Sequence, residues 1–283
     1  MHMTAATRKP VIVSYGGGTN STAMLVGMIG RADSAPHAIL FADTGGELPE
    51  TYEYLAMFSA WLVGRGFPSI TIVRVESTTL EADCHRRNVL PAVAYGFKTC
   101  SLRFKVEPQE KWCNRNAACK AAWKQGERVT KLIGFDYGEL HRARWQGDEK
   151  YTNDYPLIEW KWSRDDCARA IQAAGLPLPG KSACFFCPNS KIADVRRLER
   201  QHPELLARAL AMEAGATRNT TVAGLGRSWA WRDLIKQGLM FPEIYDRETT
   251  EIPCECYDGG PVSSALEGDV PRSLQAVSAE DTQ

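Results

Sequence analysis

Residues 11–21, Val-Ile-Val-Ser-Tyr-Gly-Gly-Gly-Thr-Asn-Ser, restrict this chain more than any other stretch. The β-branched run Val11-Ile12-Val13 has the composition of a buried strand. It passes through Ser14 and Tyr15 into three consecutive glycines, Gly16, Gly17 and Gly18. Thr19, Asn20 and Ser21 then open an Ala/Met/Leu run with helical composition, and Asn20 or Ser21 is the expected N-cap. A strand, a glycine loop and a helix N-terminus together make an anion site. Glycines let backbone N–H groups turn inward, and the helix end adds partial positive charge. A tight turn without a ligand is the plainer alternative, but three glycines in a row cost backbone entropy that an ordinary turn does not need. The loop has no Gly-Lys-Ser/Thr ending, as a Walker loop has, and no G-x-G-x-x-G spacing.

Further along, Ala38-Ile39-Leu40-Phe41 reads as a second apolar strand running into Ala42-Asp43-Thr44-Gly45-Gly46-Glu47. Polar residues at the C-terminal end of a strand are where open parallel sheets bind ligands. Leu48-Pro49-Glu50-Thr51 starts a helix with proline in its first turn, and Leu55, Phe58, Trp61 and Leu62 form its apolar stripe. Further strands are expected over residues 70–75 and 129–135, with a fifth short strand or extended piece over 155–160, and Ser163-Arg164-Asp165-Asp166 reads as a capped helix start. This alternation predicts an α/β fold, a Rossmann-like doubly wound parallel sheet of about five strands. Residues 1–175 are read as the nucleotide-binding α/β domain. Residues 176–259 are read as a helical segment bearing cysteines, with helices near 190–201, 203–214 and 228–238. Residues 260–283 form a tail without periodicity, expected to be disordered.

Formal net charge is zero, so any polyanion must be met by a local patch. No apolar run approaches membrane-spanning length, and the first ten residues lack the apolar core of a signal peptide, so a cytoplasmic protein without membrane contact is expected. Nine cysteines in such a chain point to thiols or metal ligands rather than disulfides. Cys184-Phe-Phe-Cys187 is the clearest ligand pair, with Cys100, Cys254 and Cys256 as further candidates. It suits zinc, an iron–sulfur cluster or a redox dithiol. Cys84, Cys113, Cys119 and Cys167 read as plain buried thiols.

The glycine loop resembles the pyrophosphate loop, Ser-Gly-Gly-x-Asp-Ser, of the adenine nucleotide alpha-hydrolase superfamily. Gly17, Gly18 and Ser21 match it, with Gly16 in place of its first Ser and Asn20 in place of its Asp. Within that superfamily the chain resembles the APS/PAPS reductases and their ATP-using relatives over about residues 10–258. Asp43-Thr44-Gly45 with Pro49-Glu50-Thr51 is similar to that family's Asp-Thr-Gly…Pro-Glu-Thr. Thr99-Cys100-Ser-Leu-Arg103-Phe-Lys105 is similar to its Cys-Cys…Arg-Lys segment, with Thr99 in place of the first Cys. Pro156-Leu157 with Trp160 resembles its Pro-Leu…Trp stretch, and Gly180 to Cys187 its cluster-binding end. The resemblance implies an iron–sulfur cluster of the 4Fe-4S type on Cys100, Cys184 and Cys187, with either Cys254 or Cys256 as a fourth ligand or an open iron that binds sulfide or substrate. Zinc is the rival occupant.

Two enzymes fit these features. In the first, the loop binds ATP with Mg²⁺, the chain cleaves between the α- and β-phosphates, and an adenylated acceptor then receives sulfur. Ser14 and residues 16–21 hold the nucleotide, Asp43, Thr44 and Gly45 lie near metal or ribose, and Lys105, Arg142 or Arg144 neutralises developing charge. A cysteine desulfurase would be the kind of sulfur donor implied. In the second, the cleft holds APS or PAPS, Cys256 attacks sulfur, and thioredoxin resolves the product. The first is preferred, because the unbroken glycine run resembles the ATP-cleaving members and no His follows Cys256. A nucleotide or cluster sensor without turnover is a third reading. Arginines 196, 197, 200, 208, 218, 227 and 232, beside Trp229 and Trp231, suit either a nucleic-acid acceptor or ordinary solvated helix faces. The oligomeric state is left open.

Overall fold

The structure is a computed structural model that describes residues 9–33, 35–218 and 221–238. Cys254, Cys256 and residues 260–283 lie outside the described residues. Five parallel strands, β1 (Val11–Tyr15), β2 (Ala38–Asp43), β3 (Ile70–Arg74), β4 (Val129–Ile133) and β5 (Tyr151–Asp154), form one sheet in the order β3-β2-β1-β4-β5. The chain winds outward from β1 to β3 and then crosses back to lay β4 on the other side of β1. That reversal makes β1/β4 the switch point, where loops diverge and leave a crevice.

Alternation along the strands sorts side chains to two faces. Val13, Tyr15, Ile39 and Phe41 pack with α1 (Thr19–Gly30), α2 (Pro49–Val63) and α8 (Arg164–Ala173). Ile12, Ala38, Leu40 and Ala42 face the other way, onto Cys113 of α5 (Glu107–Arg115) and Cys119 and Ala122 of α6 (Ala117–Lys124). Both faces are therefore covered, as near-continuous apolar strands require. Cys113, Cys119 and Cys167 are buried in these cores, and Cys84 is buried in a third cluster.

A further apolar cluster joins α3 (Leu80–Arg87) and Phe104 to Phe186, to Val195 and Leu198 of α9 (Ile192–Gln201), to Leu206 and Met212 of α10 (Pro203–Gly215), and to Trp231, which opens α11 (Trp231–Gly238). The helical run from residue 99 to 115 contains a π turn at Leu102–Val106 between α4 (Thr99–Ser101) and α5. Such turns re-aim the side chains that follow them.

Two local expectations are corrected. Residues 155–160 are not a strand: Pro156 opens a one-turn helix, α7 (Pro156–Glu159), and the fifth strand is the polar stretch just before it. Proline's fixed φ and missing N–H suit a first helical turn better than a ladder. Nor is Asn20 or Ser21 the N-cap of α1. The cap is Gly18, with extended backbone and no side-chain hydrogen bond, so the helix begins at Thr19. Ser163 does cap α8, in a reciprocal box with Asp166.

Candidate functional site

A cleft of about 180 Å³ opens at the C-terminal ends of β1, β2 and β4, where the sheet order reverses. Its floor is the glycine loop. Gly17 has a φ of +75°, and a side chain there would press on Phe41 and Ser182. Gly18 lines the cleft and has open space where a Cβ would stand. Because no side chain caps α1, its first turn presents amides to the cleft. The Ser21 hydroxyl works within the loop, accepting from Gly16 N at 3.2 Å and donating to Gly18 O at 3.2 Å. Ser14 donates to buried Gln109 at 2.9 Å, which ties α5 to the cleft floor.

Asn20 does not face a phosphate with its amide. Its Nδ2 donates at 2.9 Å to both Asp136 and Glu139, and Glu139 also pairs with Arg142. An amide suits this place because an aspartate would be a third buried carboxylate beside the other two. Asn20→Asp is therefore expected to cost about 1–3 kcal/mol at neutral pH. Like charges and burial would hold the new carboxyl above the usual carboxylate range. The loss should be small at low pH, where that group is protonated, and grow as pH rises through its titration. Thermal melts across pH check this, and a pH-independent melting difference would contradict it.

Cationic side chains converge on the cleft from well-separated parts of the chain: Lys105, Arg142, Arg164, Lys181, Lys191 and Arg197. Among the lining residues only Glu139 and Asp194 are acidic. Glu139 holds Arg142, and Asp194 holds Lys181 at 2.5 Å and Arg197 at 3.3 Å. The surplus is positive, as a polyanionic ligand requires. Gly134 matters as well, because its missing side chain lets the end of β4 touch the backbone of Ser21. Sequence reasoning missed Gln109, Gly134, Lys181 and Lys191 as site residues. It quoted Lys181 and Ser182 only within the matching Gly180 to Cys187 stretch.

Of the expected nucleotide residues, Ser14, Gly16, Gly18, Thr19, Asn20 and Ser21 line the cleft, as do Lys105 and Arg142. Arg144 is exposed and does not line it, and its backbone N–H donates to Tyr155 at 2.7 Å. Asp43, Thr44 and Gly45 knit the next loop together. Asp43 Oδ1 accepts from Gly45 N at 2.7 Å and from Tyr52 at 2.8 Å, while Thr44 Oγ1 lies 3.0 Å from Cys184 Sγ. Gly46 continues this joint by accepting Phe185 N at 2.7 Å.

Cys100, Cys184 and Cys187 line one apolar cavity of about 20 Å³ with Leu80, Val93 and Phe186. That is room for roughly one water. Burial pushes the Cys100 thiol up, opposed by backbone N–H donors and Lys105. Among the described residues no three His, Cys, Asp or Glu side chains close into a metal-binding group. Three sulfurs in one apolar shell are donors of the kind that hold a thiophilic metal, and the cavity as it stands has room for a single ion, so a cluster would need the shell to open. Lys105 lines both this cavity and the cleft, so the two share a wall.

The C-terminal arginines are largely spent on structure. Arg196 pairs with Glu199, Arg208 with Glu81, and Arg227 with Asn189, while Trp231 is wholly buried. Arg197 reaches the cleft. Among the described residues no helix is long and apolar enough to cross a membrane.

No protein-family model matches the chain, and no curated protein matches it. Among solved structures, the chain is similar to a phosphoadenylyl-sulfate (PAPS) reductase from Candida auris, solved as a phosphate complex. The match has 17% identity and a TM-score of 0.41, over 62% of this chain and 76% of that one. It is also similar to the U34-tRNA thiolase NcsA from Methanococcus maripaludis, solved with its [4Fe-4S] cluster. There the identity is 14% and the TM-score 0.41, over 87% of this chain and 84% of that one.

Proposed function

We propose that this chain is an ATP pyrophosphatase that adenylates an acceptor and supports transfer of sulfur to it. The observation that carries the reading is the shared wall. A glycine loop at the sheet's switch point opens into a cationic cleft, and Lys105 separates that cleft from three thiols. A nucleotide site and a sulfur site side by side suit an enzyme that activates with the one and thiolates with the other.

In this reading the first-turn amides of α1 and the backbone of residues 16–18 hold the β- and γ-phosphates. An acceptor oxygen attacks the α-phosphorus, the α–β bridging bond breaks, and pyrophosphate leaves with the electron pair. Lys105 and Arg142 oppose the charge that builds on the bridging and leaving oxygens. A sulfur nucleophile then displaces AMP from the acceptor. Mg²⁺ would come largely on the nucleotide's own oxygens, because Glu139 and Asp194 are already engaged with cations. An iron–sulfur cluster held by Cys100, Cys184 and Cys187 would supply a thiophilic site for sulfur.

The test is anaerobic purification with iron, zinc and sulfide analysis, followed by product detection from ATP, APS and PAPS in parallel. Iron with labile sulfide, and pyrophosphate released from ATP, are expected. Thioredoxin-dependent sulfite release from APS or PAPS without ATP turnover would overturn the assignment in favour of reduction. Stoichiometric zinc without iron would remove the cluster.

A further inference from the structure

Glu47 follows β2 and packs between the glycine loop and the cationic wall, only 5% exposed. Its Oε1 has no hydrogen-bond partner, and its Oε2 lies 3.4 Å from Ser182 Oγ. The groups that face it are Lys105 from the π turn, Asp43 from the end of β2, Tyr52 from α2 and Ser182. Burial pushes the Glu47 carboxyl above the usual carboxylate range. Lys105 opposes that rise, and Asp43 adds to it.

A serine hydroxyl has one hydrogen to give. At Ser182 it goes to the Gly16 carbonyl, 2.5 Å away. That hydrogen can turn instead to Glu47 Oε2 across 3.4 Å, so an ionised Glu47 competes with Gly16 for it, and a protonated Glu47 ends that competition. Protonated, Glu47 Oε2 donates to Ser182 Oγ, which donates to Gly16 O, and the chain ends on the first glycine of the loop. Ionised, Glu47 is steadied by the Lys105 ammonium and draws on the Ser182 hydrogen only through the long 3.4 Å contact, at the expense of Gly16.

Resting on the reading of this cleft as a nucleotide site, we propose that Glu47 is a positioning residue that takes up a proton when phosphates bind and so fixes the glycine loop through Ser182. Bound phosphates draw the Lys105 ammonium into the cleft it lines. Glu47 is then a buried carboxylate facing Asp43 without its cation, a costly state. One proton from solvent goes onto Oε2, and no other covalent bond changes. Substrate charge is thereby converted into a hydrogen-bonded clamp on Gly16, which lines the cleft.

Calorimetric titration of the full chain with ATP, APS and PAPS, in two buffers of different ionisation enthalpy, counts the protons. Wild type should take up more protons per nucleotide than Glu47→Gln, by up to about one where the unbound carboxyl is ionised, and over that range its Kd should rise by up to about tenfold per pH unit. Subtracting the Glu47→Gln value removes protons exchanged by the nucleotide itself. Ser182→Ala should keep the proton uptake yet bind about tenfold more weakly, because the clamp's last link is gone. Equal proton uptake by wild type and Glu47→Gln would overturn this inference alone. So would unchanged affinity in Ser182→Ala. Failure of wild type to bind any of the three nucleotides would instead overturn the reading of the cleft.

Discussion

Gly134→Ala is expected to weaken nucleotide binding by about 100-fold or more while leaving the chain folded. A Cβ at residue 134 would stand 2.7 Å from Ser21 Cα, 2.9 Å from Ser21 N and 3.1 Å from Asn20 C. All three are backbone atoms of the first turn of α1, so no side chain can swing aside. Overpacking of this kind costs about 1–3 kcal/mol, taken up as a shift of the less anchored partner. β4 is held on both sides by β1 and β5, so the start of α1 must give way. That start is the wall of the proposed phosphate cradle, and an error of about 1 Å in a pre-organised site is worth about 100-fold. Nucleotide calorimetry beside circular dichroism decides the matter. Wild-type affinity in a folded Gly134→Ala protein would mean that the approach of β4 to α1 is not what shapes the loop.

The second large effect is on stability. Glu213→Ala is expected to cost about 3–5 kcal/mol, which at this chain length lowers the melting temperature by roughly 10 °C. Its side chain is 1% exposed. One oxygen accepts Leu225 N at 2.7 Å and Trp231 N at 2.9 Å, and the other accepts Arg232 N at 3.0 Å. A single carboxylate on α10 thus anchors the segment that leads into α11. Removing it leaves three backbone donors without their acceptor, at about 1–3 kcal/mol for each that water cannot reach. Hydrogen exchange should rise first over residues 221–238, ahead of the sheet. A melting temperature within about 2 °C of wild type would show that the segment is held by the packing of Trp231 and Leu234 alone.

The sheet was legible from its apolar strands because they are buried on both faces and carry little else. Val11-Ile12-Val13 and Ala38-Ile39-Leu40-Phe41 admit hardly any other reading. The fifth strand was not legible. Tyr151–Asp154 is polar and only four residues long, and the apolar Pro156-Leu157-Ile158 beside it drew the assignment. At the site, the glycine loop announced itself, since its chemistry is local. Lys181, Lys191 and Gln109 did not, because Gln109 reaches the cleft from α5 and the two lysines from the stretch that leads into α9, all far from the loop in sequence. Asn20 was readable as a departure from the expected Asp. Its reason, the carboxylates of Asp136 and Glu139, lies 116 and 119 positions away.

The placement of β1 between β2 and β4 has a consequence for the chain as it is made. The glycine loop leaves the ribosome early, but the strand that backs it comes more than a hundred residues later, and Ser182 follows Gly16 by 166. At typical elongation rates that interval is roughly ten to thirty seconds. Throughout it, β1 presents an apolar, unpaired edge on its β4 side, the kind of edge that recruits other strands. The first part of the site to be synthesised is therefore the last to be enclosed, and the nascent chain is most exposed to misassembly at its glycine loop.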